Sequence, residues 1–402
     1  MNRIKVKKIK FPAKVLMVLH SSGLTGPNKA TVSLLKAMDK DKYKVDVACP
    51  RDGDLSKVLR EAGIFRVPLE FGRNRDILTA IDLIRILKRN NYHVLHGHMG
   101  RVGPMICASG KMAGVPAIIL TEHMNDSSHT WMREDKLRLR IHHLFHMLSN
   151  SILDRVIAVS ECARISYIAR QGMREDKVVT IYNSTRIMED HRVLDDSART
   201  SLREELRFGE NTLVVGTVGR LIKEKGHEDV VMAGRRVLHK YPEARFLVVG
   251  DGPQRAYLEA LARKEGLADK CIFLGFRRDM DDVMRAIDIL VQPTHRECPE
   301  SFGLVLIEAM ARRKAVIASD IEPFREIIKD GENGLLFSEK DVTALADKLT
   351  ILLEDRAIVR LLAERAFCVV KERFNPESAA RKTEELYSDI LRSKGYDLTE
   401  YA

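Results

Sequence analysis

The sequence predicts an α/β protein of two domains, each with a parallel β-sheet flanked by helices. Short apolar segments alternate with longer segments of helical periodicity along the whole chain, which is the pattern of strand–helix–strand units. The chain has 402 residues, enough for two hydrophobic cores. A polar and charged stretch at residues 184–211 separates the two sets of predicted strands.

The predicted strands fall into two series. Those of the first half are 14–19, 44–48, 93–96, 117–120, 156–159 and 178–182. Those of the second half are 213–218, 245–249, 271–274, 287–291, 315–318 and 334–337. A short helix is expected at 198–206, inside the linker. We therefore predict an N-terminal domain of residues 1–190, a C-terminal domain of 191–375, and a helical segment at 376–402 that packs back on the N-terminal domain.

Two glutamates follow the predicted strand 287–291. Glu300 lies in the loop, and Glu308 lies in an apolar helix predicted to begin near Gly303. Backbone N–H groups at a helix N-terminus attract anions, and Gly303 would let one approach closely. Carboxylates on either side can accept hydrogen bonds from sugar hydroxyls. The arrangement suits a sugar nucleotide, although a glutamate early in a helix often only complements the helix dipole.

Two cations follow the predicted strand 213–218. Arg220 and Lys225 would lie at the carboxyl edge of the sheet, where open α/β sheets bind ligands. Arg220 can contact a phosphate through two parallel hydrogen bonds, and Lys225 supplies a compact charge. The next strand runs into a Gly-Asp-Gly-Pro turn at 250–253, and no G-x-G-x-x-G follows any strand. This argues against a standard dinucleotide site.

Together these motifs resemble the retaining glycosyltransferases of family 4, which have the two-domain GT-B architecture. The resemblance covers residues 213–337. It rests on the segments 218–221 with 225–226, 250–253, 300–308, 315–320, 326–328 and 330–337 and, more loosely, on 121–123, 154–160 and 178–183. The chain departs from the family pattern at Ser301 and Ser184, where the family usually has glycine.

The resemblance implies two Rossmann-like domains that face each other across a cleft. It also implies transfer of a sugar from a nucleotide-diphosphate sugar to a glycan or lipid-linked acceptor, with retention of anomeric configuration, in the synthesis of cell-surface polysaccharide or lipopolysaccharide. Glu308 would accept from ribose hydroxyls and Glu300 from sugar hydroxyls. The residues expected at the donor are Gly26, Arg220, Lys225, Gly250, Gly252, Glu300, Phe302, Gly303, Leu304 and Glu308, and those expected in catalysis are Arg220, Lys225, Glu300 and His123.

Two histidines follow strands of the N-terminal half. His98 and His123 could contact the acceptor or the donor phosphates, or could be loop histidines bonded to the backbone, and the resemblance favours His123 as the ligand. In the first loop, Gly26 would let the backbone pass close to the donor before a helix that begins near Ala30. At the place where the family often has an acidic residue, this chain has Asn28 or Lys29.

No metal and no cofactor are expected. The two cations and the helix N-terminus can neutralise a diphosphate without a metal ion. The Asp-x-Asp sequences at 52–54 and 279–281 imitate a metal motif, but they fall in loops or helix starts, where aspartates commonly cap helices. Three histidines within 142–146 have no neighbouring carboxylate or cysteine ligand. The six cysteines are scattered, which is typical of a reduced, cytoplasmic protein.

Positive charge is concentrated in the first half. Residues 1–190 contain 32 Lys+Arg and 19 Asp+Glu, and the remainder contains 35 and 38, which accounts for the net charge of +10. A solvated basic surface and binding to an anionic membrane both remain open. Nucleic acid is disfavoured because aromatic residues make up only 6% and form no stacking platform. No apolar run could span a bilayer, so we expect a cytoplasmic protein, peripheral on the inner face of the plasma membrane if lipid is bound.

Two other classes of function remain open at this point. A sugar-nucleotide epimerase of the same architecture would keep the same charged residues but would need no acceptor. A non-catalytic membrane-binding protein would need only the basic surface. Donor hydrolysis with and without a lipid-linked acceptor would distinguish them.

Overall fold

The structure is a computed structural model that describes residues 7–72, 76–98, 102–123, 149–187, 201–209 and 211–399. The chain divides into two compact units. Unit 1 comprises Met1–Ser184 and Pro376–Ala402, and unit 2 comprises Thr185–Asn375. Each unit is built on a parallel sheet with its own hydrophobic core. The predicted class, α/β with two parallel-sheet domains, is confirmed.

The elements are numbered in chain order. The strands are β1 Lys7–Lys10, β2 Ala13–Val18, β3 Tyr43–Cys49, β4 Arg66–Pro68, β5 Val94–His98, β6 Ala117–Glu122, β7 Arg155–Ala158, β8 Val178–Thr180, β9 Val214–Val218, β10 Arg245–Val249, β11 Cys271–Gly275, β12 Ile289–Gln292, β13 Ala315–Ser319, β14 Leu335–Phe337 and β15 Tyr396–Thr399.

The α-helices with both ends among the described residues follow the same order. They are α1 Gly26–Ala37, α2 Asp54–Glu61, α3 Asp76–Asn90, α4 Gly103–Ala113, α5 Glu161–Gln171, α6 Ser201–Glu205, α7 His227–Lys240, α8 Arg255–Lys264, α9 Met280–Ala286, α10 Leu304–Met310, α11 Glu322–Arg325, α12 Val342–Glu354, α13 Arg356–Arg373 and α14 Pro376–Ser393. Across the described chain, no helix is both long and apolar enough to cross a membrane.

In unit 1 the strands run in the order β4-β3-β2-β5-β6-β7-β8, all parallel. The order reverses between β2 and β5, so the loops after these strands diverge at a topological switch point. The C-terminal helix α14 packs its buried face on α1 and the unit 1 core. Tyr43 of β3 donates a hydrogen bond to the Glu384 carbonyl of α14 at 3.0 Å.

Two strand pairings lie outside the predicted set. Strand β1 pairs in parallel with β15 in a separate two-stranded sheet, and β4 adds a short edge to the main sheet. In β1, Ile9 is buried between exposed Lys8 and Lys10. One apolar residue among lysines gives no recognisable period, so the sequence pattern predicted no strand here.

Unit 2 has the same doubly wound arrangement. Its strands run in the order β11-β10-β9-β12-β13-β14, all parallel, and the order reverses between β9 and β12. Residues 219–226 follow β9 and residues 293–303 follow β12. Loops that leave neighbouring strands at a switch point line the crevice where open α/β sheets bind ligands.

The first helix starts earlier than predicted, at Gly26 and not near Ala30. The Thr25 hydroxyl caps this helix by accepting from the Asn28 N–H at 3.5 Å, and a proline in the first turn is compatible with a helix start. Gly26 is therefore the first helical residue and not a loop glycine. Asn28 is buried, and its side-chain amide donates to the Gly23 carbonyl at 2.7 Å.

The structure describes only part of the predicted linker at 184–211. The short helix expected at 198–206 corresponds to α6, Ser201–Glu205, and residues 188–200 lie outside the described chain. Arg203 of this helix is buried and donates to the Ala286 carbonyl at 2.9 Å, so α6 is anchored on unit 2.

Candidate functional site

The two loops at the unit 2 switch point are joined to each other. The backbone N–H of His295, after β12, donates to the Glu224 carbonyl, after β9, at 2.9 Å. This brings Lys225 and Glu300 together, and the Lys225 ammonium forms an ion pair with Glu300 Oε2. Their side chains are 18% and 19% exposed. Two predicted ligand residues, 75 positions apart in the sequence, thus form a direct pair.

The ion pair fixes the charge of Lys225. Burial alone would favour the neutral amine, but attraction by Glu300 outweighs it, and the pKa of Lys225 is raised. The ammonium therefore remains charged at neutral pH. A diphosphate arriving here would compete with Glu300 for this cation, so Lys225 can exchange one anionic partner for another.

Arg220 lies near Lys225 on the loop after β9, and its side chain is exposed. That loop is held against the turn after β10 by close backbone approach. A Cβ added to Gly250, at φ +135°, would lie 1.8 Å from the Gly219 carbonyl oxygen, and one added to Gly252 would lie 2.4 Å from that of Leu221. The turn glycines are therefore required by loop packing. Their predicted contact with the donor stays a prediction.

The helix predicted near Gly303 is α10, which begins at Leu304. Gly303 adopts φ +105°, and a Cβ there would lie 2.9 Å from a ring carbon of Phe324. The sharp turn and the close packing both require glycine at this position. Glu308 is the fifth residue of the helix and is partly buried.

The ring of Phe302, a residue predicted at the donor, is buried. Its side chain is 2% exposed and packs edge-to-face on Phe374, with 5.4 Å between ring centroids. An aromatic ring in this environment is part of the hydrophobic core. Any contact of Phe302 with a donor would therefore involve its backbone and not its ring.

His227, the first residue of α7, supports the cationic loop and was not predicted. It is buried, and its ring lies 3.1 Å from Thr217 Oγ1 and 3.3 Å from the Arg220 carbonyl. Burial lowers the pKa of His227 to about 4, so the ring is neutral at pH 7. The only sequence signal was its place at the start of a helix after Lys225 and Gly226.

The Asp-x-Asp sequence at 279–281 has a structural role, but not as helix caps. Asp279 forms no capping hydrogen bond and instead accepts from Arg277 Nε at 2.9 Å. Asp281 forms an ion pair with Arg312. Within the described ranges, no group of three or more His, Cys, Asp or Glu side chains is positioned to hold a metal ion. The histidines within 142–146 lie outside those ranges.

Unit 1 has a cluster of three histidines. His98, the last residue of β5, lies with Nδ1 2.8 Å from Nε2 of His123, which follows β6. The two rings are stacked, with centroids 5.0 Å apart. His96 bridges Tyr387 Oη and Thr121 Oγ1, at 2.6 Å from each. The His98 side chain therefore contacts other side chains, and the loop-histidine interpretation of it was wrong.

Burial makes these rings neutral. It lowers the pKa of His96 to about 3 and that of His123 to about 4, and it holds the pKa of His98 well below its usual range. Alternation along a strand places His96 and His98 on one face, a signal that could have pointed to the pair. Nothing in the local sequence pointed to Tyr387, almost 300 residues later.

The cluster borders a small cavity of about 40 Å³. Its lining includes Thr31, His98, Thr121, His123 and Asn183. A space of this size admits a water molecule or one hydroxyl group, whereas pockets for whole small molecules are roughly ten times larger.

Two family models match the chain. "Glycosyl transferases group 1" matches residues 198–369, and "Glycosyltransferase Family 4" matches residues 24–186. The first match lies in unit 2 and the second in unit 1, apart from its last two residues. Together they cover most of both sheets.

Curated relatives are similar over much of the chain. An N-acetyl-alpha-D-glucosaminyl L-malate synthase of Bacillus anthracis is 28% identical over 79% of this chain and 80% of its own length. A UDP-Gal:alpha-D-GlcNAc-diphosphoundecaprenol alpha-1,3-galactosyltransferase of Escherichia coli is 22% identical over 96% of this chain and 98% of its own.

The fold matches solved structures. HepE of Anabaena, solved in complex with UDP and glucose, superposes with a TM-score of 0.79 and 22% identity, over 94% of this chain and 100% of HepE. The likeness confirms the predicted GT-B fold.

Proposed function

Because the chain belongs to the family 4 type of glycosyltransferases, we propose that it transfers a sugar from a nucleotide-diphosphate sugar to a glycan or lipid-linked acceptor with retention of anomeric configuration. The observation that carries the proposal is the pairing of Lys225 with Glu300 beside Arg220 at the unit 2 switch point. A diphosphate needs such cations, and the adjoining sugar needs such a carboxylate.

The donor is assigned to unit 2. Arg220 and Lys225 contact the diphosphate, Glu300 accepts from the sugar hydroxyls, and Glu308 accepts from the ribose. HepE, which has a similar fold, was solved in complex with UDP and glucose, and this supports a nucleotide-sugar donor for the present chain. Charge builds on the diphosphate as the glycosidic bond breaks, and preformed cations that neutralise it are usually the largest catalytic contribution. No metal ion is required in this mechanism.

The acceptor is assigned to unit 1. The E. coli relative acts, by its name, on a sugar linked to diphosphoundecaprenol, which supports a lipid-linked or glycan acceptor here. His123 is the unit 1 residue proposed to contact a substrate hydroxyl. In the retaining reaction, the leaving phosphate takes the acceptor's proton.

Nucleotide binding is tested by a thermal-shift panel of UDP, GDP and ADP. The true nucleotide at about 100 times its Kd should stabilise the protein by about 2.7 kcal/mol. If none of the three nucleotides raised the melting temperature, the donor assignment would be contradicted.

Transfer is tested by following nucleotide release with and without a lipid-linked acceptor. Acceptor-dependent release, with a product of the donor's anomeric configuration, is expected. Conversion of the donor without an acceptor would favour an epimerase, and no turnover would favour a non-catalytic protein. EDTA should leave the rate unchanged; loss of activity restored by Mn²⁺ would contradict the metal-free mechanism.

A further inference from the structure

The hydrogen bonds of Thr31 determine which nitrogen of His98 carries a proton. Thr31 Oγ1 lies 2.9 Å from the Pro27 carbonyl and 3.2 Å from His98 Nδ1. A carbonyl can only accept, and a hydroxyl has a single hydrogen, so Thr31 donates to Pro27. Toward His98 it can then only accept. The neutral His98 ring therefore carries its proton on Nδ1.

The tautomer of His98 in turn determines that of His123. His98 Nδ1 also lies 2.8 Å from His123 Nε2. Because His98 Nδ1 bears the hydrogen, His123 Nε2 must be an acceptor, and this one hydrogen is shared between His123 Nε2 and Thr31 Oγ1. A neutral His123 then has its proton on Nδ1. In the described part of the chain, that buried nitrogen has no hydrogen-bond partner.

We propose that His98, held in the Nδ1–H form by Thr31, is a positioning residue that makes His123 a hydrogen-bond donor through Nδ1. His123 then donates to a substrate oxygen and does not act as a base at that nitrogen. An unpaired buried N–H costs free energy, so the site favours a ligand with an acceptor oxygen, such as a sugar hydroxyl. The assignment of that ligand rests on the proposed function, but the tautomer assignment does not.

The tautomers are tested directly by long-range ¹H–¹⁵N NMR of histidine-labelled protein without substrate. The signals of His98 and His123 are identified from spectra of His98→Phe and His123→Gln. Both wild-type rings should show a pyrrole-type shift at Nδ1 and a pyridine-type shift at Nε2. A proton on Nε2 of either ring would overturn the proposal, whether or not the protein is a glycosyltransferase.

The role of Thr31 is tested with a matched pair of variants. Thr31→Ser keeps the hydroxyl and should leave the His123 spectrum unchanged. Thr31→Val keeps the shape but removes the acceptor, so the Nε2–H form of His123 should appear. A His123 spectrum that is the same in both variants would show that Thr31 does not set the tautomer.

The role of the Nδ1 donor is tested with two neutral amides. His123→Asn places an amide near the Nδ1 position, and His123→Gln places it near Nε2. Both substitutions remove the ring and should lower kcat, but His123→Gln should lower it roughly tenfold more than His123→Asn does, the size of one hydrogen bond. KM for the donor should change in neither. Equal losses in both variants would contradict a donor role of Nδ1, while the NMR result would still stand.

Discussion

The two units place different chemistry at equivalent positions of similar sheets. In unit 2 the loops at the switch point hold an ion pair, Lys225 with Glu300, beside an exposed arginine. In unit 1 the strand at the switch point ends in His98, which lies in a buried network of neutral rings and hydroxyls. A diphosphate requires fixed cations, whereas a sugar hydroxyl requires neutral donors and acceptors. The difference suits unit 2 to the nucleotide and unit 1 to a hydroxyl group.

Removing a cation from unit 2 should have the largest effect. Lys225→Ala and Arg220→Ala should each lower kcat by about a hundredfold or more, as loss of an oxyanion donor does. Steady-state kinetics with the true substrates measure the loss. The matched control is Lys223→Ala, an exposed lysine of the same loop, which should keep its activity. Near-normal turnover in Lys225→Ala would mean that the diphosphate lies elsewhere.

The two glutamates should separate in their effects. Glu308→Gln should weaken donor and free nucleoside diphosphate alike and mostly raise KM, by roughly tenfold for one charged hydrogen bond. Glu300→Gln should lower kcat instead. Because Glu300 pairs with Lys225, the substitution should leave diphosphate affinity unchanged or tighter.

Isothermal titration with the bare diphosphate checks both glutamate variants. Equal weakening in the two would show that Glu300 is not a sugar ligand. If neither variant bound the diphosphate more weakly, Glu308 would not be a nucleotide ligand and would only complement the helix dipole.

Acid should destabilise unit 1 more than unit 2. The described rings whose pKa burial lowers are His93, His96, His98 and His123 in unit 1 and His227 in unit 2. Their folded pKa values lie below the unfolded value of about 6.5, so between about pH 6.5 and 4 the unfolded chain binds protons that the folded chain does not. The free energy of unfolding therefore decreases as the pH is lowered, by at most about 1.4 kcal/mol per pH unit for each ring. Above about pH 6.5 the rings are neutral in both states, and the folded protein keeps the full stability that is lost in acid.

Calorimetry across that pH range should resolve a unit 1 transition that shifts further than that of unit 2. Transitions are assigned by adding the nucleotide, which should stabilise unit 2. If both shift equally, the rings of unit 1 are not held neutral by burial.

The smallest expected effect concerns membrane binding by the basic half. If that surface binds anionic lipid, Lys8→Gln and Lys10→Gln should each weaken vesicle association by about 1 kcal/mol, or roughly fivefold. Association should also weaken with added salt. Sedimentation with anionic vesicles measures this, and Lys264→Gln, an exposed lysine of unit 2, is the control. Binding that is absent or insensitive to salt would exclude the membrane interpretation.

Much of the sheet architecture could be predicted because buried parallel strands are continuous apolar runs. Strands such as β6 and β10 lie close to their predicted bounds. Strand β1 was missed because its pairing with β15 joins segments almost 400 residues apart, and no local pattern encodes that contact. The start of α1 was misplaced because Gly26 and proline usually indicate a loop, but both are compatible with a first helical turn.

The sequence pointed to the individual charged residues of unit 2, but it could not predict the interactions between them. Arg220, Lys225 and Glu300 each follow a recognisable strand, yet the ion pair between the last two depends on the adjacency of β9 and β12. In unit 1 the sequence singled out His98 and His123. It could not reveal that Thr31 and its carbonyl partner fix their protons, because that requires distances between side chains of three elements.

The most direct test of the division between the units is one titration series with the nucleoside diphosphate that gives the largest thermal shift. Wild type, Lys225→Ala and His123→Gln are compared by isothermal calorimetry at neutral pH. Lys225→Ala should bind at least about tenfold more weakly, as expected for loss of a charged hydrogen bond, and His123→Gln should bind like the wild type. An unchanged Kd in Lys225→Ala, or an equal loss in His123→Gln, would contradict the assignment of the nucleotide to unit 2 alone.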